Sequence, residues 1–262
     1  MLTALVTGGT SGIGAAFAEA LARRGHALVL VARDADRLEQ TAARLRAAHG
    51  VPVEVLSADL VDRADVDRVA ARIEDPARPV DVVVNNAGFS VKTPFSAEDT
   101  SAHDRAFEVM CRAVLVLSSA AARAMTARGS GWIINVSSVA GLITMGSYSA
   151  LKTYTTAFTE ALAVELAGTG VHVTALLPGW VRTEFHERAG ITGSSIPSFM
   201  WLTPERVVEE ALDDVARGKV ISMPTRRYRL LALFLRHAPR STVRRISGLV
   251  ASARQKERAA GS

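Results

Sequence analysis

Leu2-Thr3-Ala4-Leu5-Val6 leads directly into Thr7-Gly8-Gly9-Thr10-Ser11-Gly12-Ile13-Gly14, after which apolar residues recur at helical spacing through Phe17, Leu21 and Ala22. An apolar run, a glycine turn and an amphipathic pattern in that order read as strand, tight turn and helix. Together they make a cradle for phosphate. Gly8, Gly12 and Gly14 let the backbone turn sharply and approach a pyrophosphate closely, while the free N–H groups and dipole of the new helix favour its negative charge. Glycines alone would be consistent with a plain turn; the strand before them and the helix after them supply the context that binding requires.

Six further apolar runs repeat the strand pattern: Ala27 to Val31, Val53 to Leu56, Val80 to Val84, Trp132 to Val136, Val171 to Leu177 and Val220 to Met223. Helical patterns begin near Asp34, Asp62, Ala102, Ser147 and Pro204. Such alternation predicts an α/β fold, a doubly wound parallel sheet of the Rossmann type, because parallel neighbours need crossover helices that cover both faces. The expected organisation is one dinucleotide-binding and catalytic domain over 1–223, with a substrate lid at 180–203, and a basic amphipathic C-terminal extension over 224–262. In an open sheet of this kind ligands bind at the carboxyl ends of the strands.

The chain has 262 residues, enough for one full core, and is 48% apolar. Its longest apolar runs fall short of the ~20 residues a membrane span needs. Cys111 is the only cysteine, which excludes an intrachain disulfide and a thiolate metal site. Neither His186 nor His237 has a companion at ligand spacing, so no metal is expected. With a strand expected from Leu2, no leader is anticipated and the expected location is cytoplasmic. The net charge of +5 is unevenly spread: residues 224–262 hold nine Arg and one Lys against one Glu, leaving the rest of the chain at −4.

Downstream, Gly146-Ser147-Tyr148-Ser149-Ala150-Leu151-Lys152 places a tyrosine and a lysine one helical turn apart, after Ser137 and Ser138. A phenol titrates near pH ~10 and needs help to exchange protons at neutral pH. At this spacing the Lys152 ammonium shares a helix face with Tyr148 and can favour the phenolate. The pair reads as a proton donor and acceptor for a carbonyl.

These residues together resemble the short-chain dehydrogenase/reductase family from Leu2 to about Met223. Its Thr-Gly-x-x-x-Gly-x-Gly is met by Thr7, Gly8, Gly12 and Gly14, its Asn-Asn-Ala-Gly by Asn85, Asn86, Ala87 and Gly88, its Tyr-x-x-x-Lys by Tyr148 and Lys152, and its Pro-Gly-x-Val-x-Thr by Pro178, Gly179, Val181 and Thr183. The resemblance implies hydride exchange between a nicotinamide and a carbonyl carbon. Tyr148 would protonate the carbonyl oxygen, Ser138 (with Ser137 as the alternative) would hydrogen-bond it, and Lys152 would hold the nicotinamide ribose and lower the tyrosine pKa. The dinucleotide would lie against Gly8, Thr10, Ser11, Gly12, Ile13 and Gly14, then Asp59 and Leu60 beside the adenine, Asn86, Ala87 and Gly88, and Pro178, Gly179, Val181 and Thr183 at the nicotinamide. Asp59 has a competing role as the cap of the helix near Asp62.

At the end of the second strand Ala32 takes the position where an acid would select NAD, and Arg33 follows, a guanidinium suited to a 2′-phosphate. NADP is the expected cofactor. One departure stands out: where the family places an Asn in the helix after Asn-Asn-Ala-Gly, this chain has Met110. A thioether is a weak acceptor and no donor, so the water that the Asn helps to hold loses a partner.

The segment after Pro178-Gly179 collects Trp180, Phe185, Ile191, Ile196, Phe199, Met200, Trp201 and Leu202 between glycines and a proline, as a lid over an apolar ketone, a steroid-like ring or an acyl chain would. The expected activity is therefore an NADP-dependent oxidoreductase for such a carbonyl or its alcohol, with a cofactor-binding scaffold of weak turnover as the other class. Family members usually form dimers or tetramers. The basic tail fits a subunit or lid contact first and an anionic membrane surface second. Nucleic acid is not expected, because no recognition motif accompanies the charge.

Overall fold

The computed structural model describes residues 1–184 and 197–248. Seven parallel strands form one sheet in the order β3-β2-β1-β4-β5-β6-β9. They span Thr3–Thr7 (β1), Ala27–Ala32 (β2), Val53–Ser57 (β3), Val82–Asn85 (β4), Gly131–Val136 (β5), Val171–Leu176 (β6) and Ile221–Ser222 (β9). Each coincides with an expected apolar run. A separate two-stranded ribbon joins Trp180–Val181 (β7) to Trp201–Leu202 (β8).

Alternation along the strands feeds two cores. Ala4, Val6, Leu28 and Leu30 face helices α1 (Gly12–Arg23), α2 (Ala35–His49) and α7 (Pro204–Ala216). Leu5, Val29 and Val31 face α3 (Arg63–Glu74), α5 (Ala113–Arg128) and α6 (Gly146–Glu165). Burial on both sides explains why the strands read as continuous apolar runs rather than alternating ones. Each fully buried Leu or Phe contributes about 1.5–3 kcal/mol relative to exposure.

The helix starts follow from their caps. The Asp34 carboxylate accepts from the N–H of Arg37, Asp62 from Ala64 and Asp65, and Thr203 from Arg206 with Pro204 in the first turn. The helix over Ser101–Arg128 is continuous, with α4 (Ser101–Phe107) and α5 joined by one π-helical turn at Glu108–Arg112. Although no uninterrupted apolar run is that long, by length and composition this helix could cross a membrane, at a mean hydropathy of 1.3 over its most apolar window. That window is 61% buried inside the protein, against the sheet and α3, so its apolar surface is already used.

The basic extension begins as helix α8 (Arg226–His237) and continues in a helical stretch over residues 240–248. It does not stand apart from the sheet: Tyr228, Ala232, Leu235 and Val243 are buried, and Tyr228 and Ala232 belong to the same core as α1 and α2.

Candidate active site

At the carboxyl end of β1 the glycine turn is held in shape by its neighbours. Asn86 donates its side-chain amide to the carbonyls of Thr7 (2.9 Å) and Gly8 (3.3 Å), and the Thr7 hydroxyl accepts from the N–H groups of Asn86 (2.9 Å) and Ala87 (3.1 Å). This packing leaves no room for side chains. A Cβ at Gly14 would sit 2.1 Å from the Gly8 carbonyl oxygen. Gly8 and Gly12 adopt φ of 66° and 54°, the left-handed region that suits glycine, and a Cβ at Gly12 would press on Thr183 at 3.3 Å. Ser11 caps α1 without a side-chain hydrogen bond, and no acid occupies the first turn. The helix terminus thus keeps its positive character for a phosphate, and Thr10, Ser11 and Ile13 border it. A nicotinamide dinucleotide fits this cradle.

Arg33 follows β2 directly, is exposed, and forms no ion pair among the described residues. Neighbouring Asp34 does not pair with it among the described residues and caps α2. Asp59 is not the cap of α3, a role taken by Asp62. Its carboxylate accepts from the N–H of Val61 and its own N–H donates to Asp65, which places Asp59 and buried Leu60 at the mouth of β3. Asn85, by contrast, is drawn into the interior. Its amide donates to Ser118 (3.0 Å) and Asn135 (2.9 Å), and Asn135 donates to Thr159, a buried polar chain that ties β4 and β5 to α5 and α6.

At the end of β5 the two serines diverge. Ser137 is buried, and its hydroxyl is engaged by the Lys152 carbonyl and Thr156, both at 2.7 Å, so it anchors α6. Ser138 begins a short 3-10 turn (Val139–Leu142), accepts from the N–H of Ala140, and lies near enough to Tyr148 to hold the phenol's pKa down. The Ser137 hydroxyl is thus engaged within the core, whereas Ser138 lies on the Tyr148 side. Burial pushes the Tyr148 phenol up to about 12, a shift that the Ser138 hydrogen bond opposes.

The Lys152 side chain is only 4% exposed, donates to the Val136 carbonyl at 2.6 Å, and lies 5.7 Å from the centre of the Tyr148 ring. Burial pulls it down to about 8, opposed by Cys111, whose own thiol burial pushes up to about 11. The ammonium is turned to the end of β5, and burial is the main influence on the phenol.

Met110 lies in the π turn, fully buried. Its sulfur would be 3.1 Å from a Cβ built on Gly88, and the Lys152 Nζ 3.7 Å from the same point, so both side chains border Gly88. Its carbonyl accepts from the Thr155 hydroxyl.

Across the site, Pro178 and Gly179 lead into β7, where Trp180 and Trp201 meet at 5.9 Å between ring centres and Arg182 lies 5.6 Å from the Trp201 ring. Val181 is buried, and Thr183 approaches the glycine turn. Sequence reasoning missed what holds this turn. Tyr228, from the extension, accepts from the N–H of Trp180 (2.9 Å) and donates to the Met200 carbonyl (2.7 Å), and a Cβ at Gly179 would enter its ring at 1.9 Å. Phe185, Ile191 and Ile196 lie outside the described residues.

The family model described as short chain dehydrogenase matches residues 2–192. The chain belongs to that family. Among solved structures, a short-chain dehydrogenase from Sphingobium yanoikuyae in complex with NADPH is 37% identical, with a TM-score of 0.82 over 89% of this chain and 92% of that one. The bulky-bulky ketone specific alcohol dehydrogenase of Comamonas testosteroni is 31% identical, with a TM-score of 0.77 over 89% and 91%. A very-long-chain 3-oxoacyl-CoA reductase from Anas platyrhynchos is 33% identical over 222 residues, 81% of this chain and 68% of that protein. This short-chain dehydrogenase is an oxidoreductase with a nicotinamide cofactor.

Proposed function

We propose that this short-chain dehydrogenase is an NADP-dependent carbonyl reductase acting on an apolar ketone or 3-oxoacyl compound. The observation that carries the reading is Tyr148 with the Lys152 ammonium 5.7 Å from its ring centre and Ser138 near its phenol, at the strand ends that the glycine cradle also borders. When bound, the nicotinamide supplies the hydride. Tyr148 keeps its proton throughout the neutral range and is the acid that delivers it to the carbonyl oxygen. Ser138 donates to the same oxygen as charge builds on it. Lys152 is the adjacent cation that returns a proton to Tyr148 and steadies the ribose, with a pKa close enough to neutral to exchange.

Arg33 supports NADP because it is exposed, unpaired among the described residues, and stands at the end of β2 where an acid would select against a 2′-phosphate. Trp180, Trp201 and Met200 support an apolar substrate, as do the names of the ketone- and acyl-specific relatives. The deciding experiment is NADPH oxidation against a panel of bulky ketones and 3-oxoacyl thioesters, with Tyr148→Phe alongside. Turnover that needs Tyr148 is expected. Tight NADPH binding without turnover on any substrate would replace this reading with a non-catalytic binding protein.

A further inference from the structure

Helix α8 is apolar on two opposite sides. Tyr228, Ala232 and Leu235 fill the core, yet Leu230 is 68% exposed, Leu233 56% and Phe234 57%. These three stand at i, i+3 and i+4 and form one outward ridge, with partly exposed Leu231 at its edge. A surface helix normally turns charge outward, and an apolar stripe of this kind asks for a partner.

The charge around the ridge is of one sign. Residues 224–248 contain seven Arg and no acid, whereas the chain outside 224–262 carries −4. Arg226 and Arg227 stand at the start of α8, Arg236 near its end, and Arg240, Arg244 and Arg245 on the stretch that follows. Among the described residues only Arg229 of these is tied down, by the Met223 carbonyl and Glu210. At 12 residues α8 is roughly 18 Å long, too short to cross a ~30 Å hydrocarbon layer but suited to lie in its surface. An apolar ridge fringed by arginines can sink to the acyl boundary while the guanidiniums reach headgroup phosphates.

The placement adds a reason for such docking. α8 packs against the 3-10 turn that begins at Ser138, and the Thr144 N–H donates to Ser247 of the last helical stretch. Helix α8 therefore backs the segment that carries Ser138, with the ridge on its outer side. We propose that α8 and residues 240–248 dock this protein on an anionic phospholipid bilayer, with the ridge inserted at the headgroup level and the cleft close to the surface. The partner is the lipid surface itself.

The test uses the full chain, because removing the extension would also remove Tyr228 from the core. Co-sedimentation with phosphatidylcholine vesicles containing phosphatidylglycerol is compared with phosphatidylcholine alone, for the natural chain, for L230S/L233S/F234S, and for R226Q/R227Q/R236Q. The expected result is pelleting with the anionic vesicles only, a fall of at least about tenfold in apparent affinity for each triple variant, and weakening at high salt. Folding of the variants is checked by thermal melting and NADPH binding, which none of these exposed positions should alter. No pelleting with anionic vesicles, or pelleting that the ridge variant leaves unchanged, overturns the proposal. So does a ridge variant that turns a dimer into a monomer in analytical ultracentrifugation while vesicle binding is absent, since the ridge would then be a contact between copies.

Discussion

Replacing Tyr228 by Phe keeps the ring that fills the space over Gly179 and removes one oxygen. That oxygen accepts from the Trp180 N–H at 2.9 Å and donates to the Met200 carbonyl at 2.7 Å, so two backbone groups on opposite sides of the β7–β8 ribbon lose their partner together. An orphaned polar group away from water costs about 1–3 kcal/mol, and roughly 3 kcal/mol is expected for the two, less if water reaches the half-buried Trp180 end. For a chain of this size that corresponds to a fall in Tm of about 6–12 °C. Because the ribbon carries Trp180 and Trp201, KM for the ketone should rise more than kcat falls. A second variant isolates the contact: the methyl of Gly179→Ala would enter the Tyr228 ring, so the change should be severe in the natural background and mild combined with Tyr228→Ala. A Tm within about 1 °C of the natural protein for Tyr228→Phe, or additive effects of the Gly179 and Tyr228 changes, would refute the reasoning.

Arg33→Asp should lower the ratio of kcat/KM for NADPH over NADH by at least about tenfold through loss of a charge-assisted contact and gain of repulsion, and an unchanged ratio would show that Arg33 does not face the phosphate. Met110→Asn should raise kcat and alter the pH–rate profile by placing a polar group at the Gly88 position that Lys152 also borders; an unaltered profile would mean that proton return does not pass this point. Lys152 is depressed to about 8 from 10.5, so below pH ~8 the folded protein bears the cost of a buried ammonium, and between about 8 and 10.5 the unfolded chain binds more protons and stability rises with pH. The stability gap between Lys152→Met and the natural protein should therefore change by about 1–2 kcal/mol between pH 7.5 and 9.5 in denaturant melts, in favour of the natural protein at the higher pH, and a pH-independent gap would contradict the assignment.

Much of this architecture could be read from the chain because its determinants are local. Strands buried on both faces must be apolar throughout, and Asp34, Asp62 and Thr203-Pro204 mark helix starts by chemistry that lies within a turn of the start. The glycine cradle was legible for the same reason. What escaped depends on which way a residue faces. Ser137 and Ser138 are neighbours of one type, and only the pairing of Ser137 N–H with the Leu176 carbonyl turns one hydroxyl into α6 and leaves the other for Tyr148. Asp59 and Asp62 are likewise interchangeable on paper, and the turn geometry gives the cap to Asp62. Tyr228 acts on backbone 48 and 28 residues away, where no spacing rule operates. The π turn at Met110 carries no signature in its residues.

The extension is the least family-like part of the chain, and its contacts argue that it is not an appendage. Tyr228 closes the turn at Gly179 from behind, α8 packs on the turn that starts at Ser138, and Ser247 receives the N–H of Thr144. These contacts fall on two of the segments that border the reacting groups, one carrying Ser138 and one carrying Trp180. A rigid-body push on the outer ridge of α8 therefore has two short paths to the cleft, each a single packed layer deep. Contact at the ridge that differs in strength between two positions of β7 and β8 would bias those positions by the same free energy. If vesicles bind α8 and also change KM for a water-soluble ketone, with Tyr228→Phe breaking only the second effect, the coupling runs through the Gly179 turn. If KM responds to vesicles equally in both proteins, the effect lies in substrate partitioning, and α8 does no more than tether.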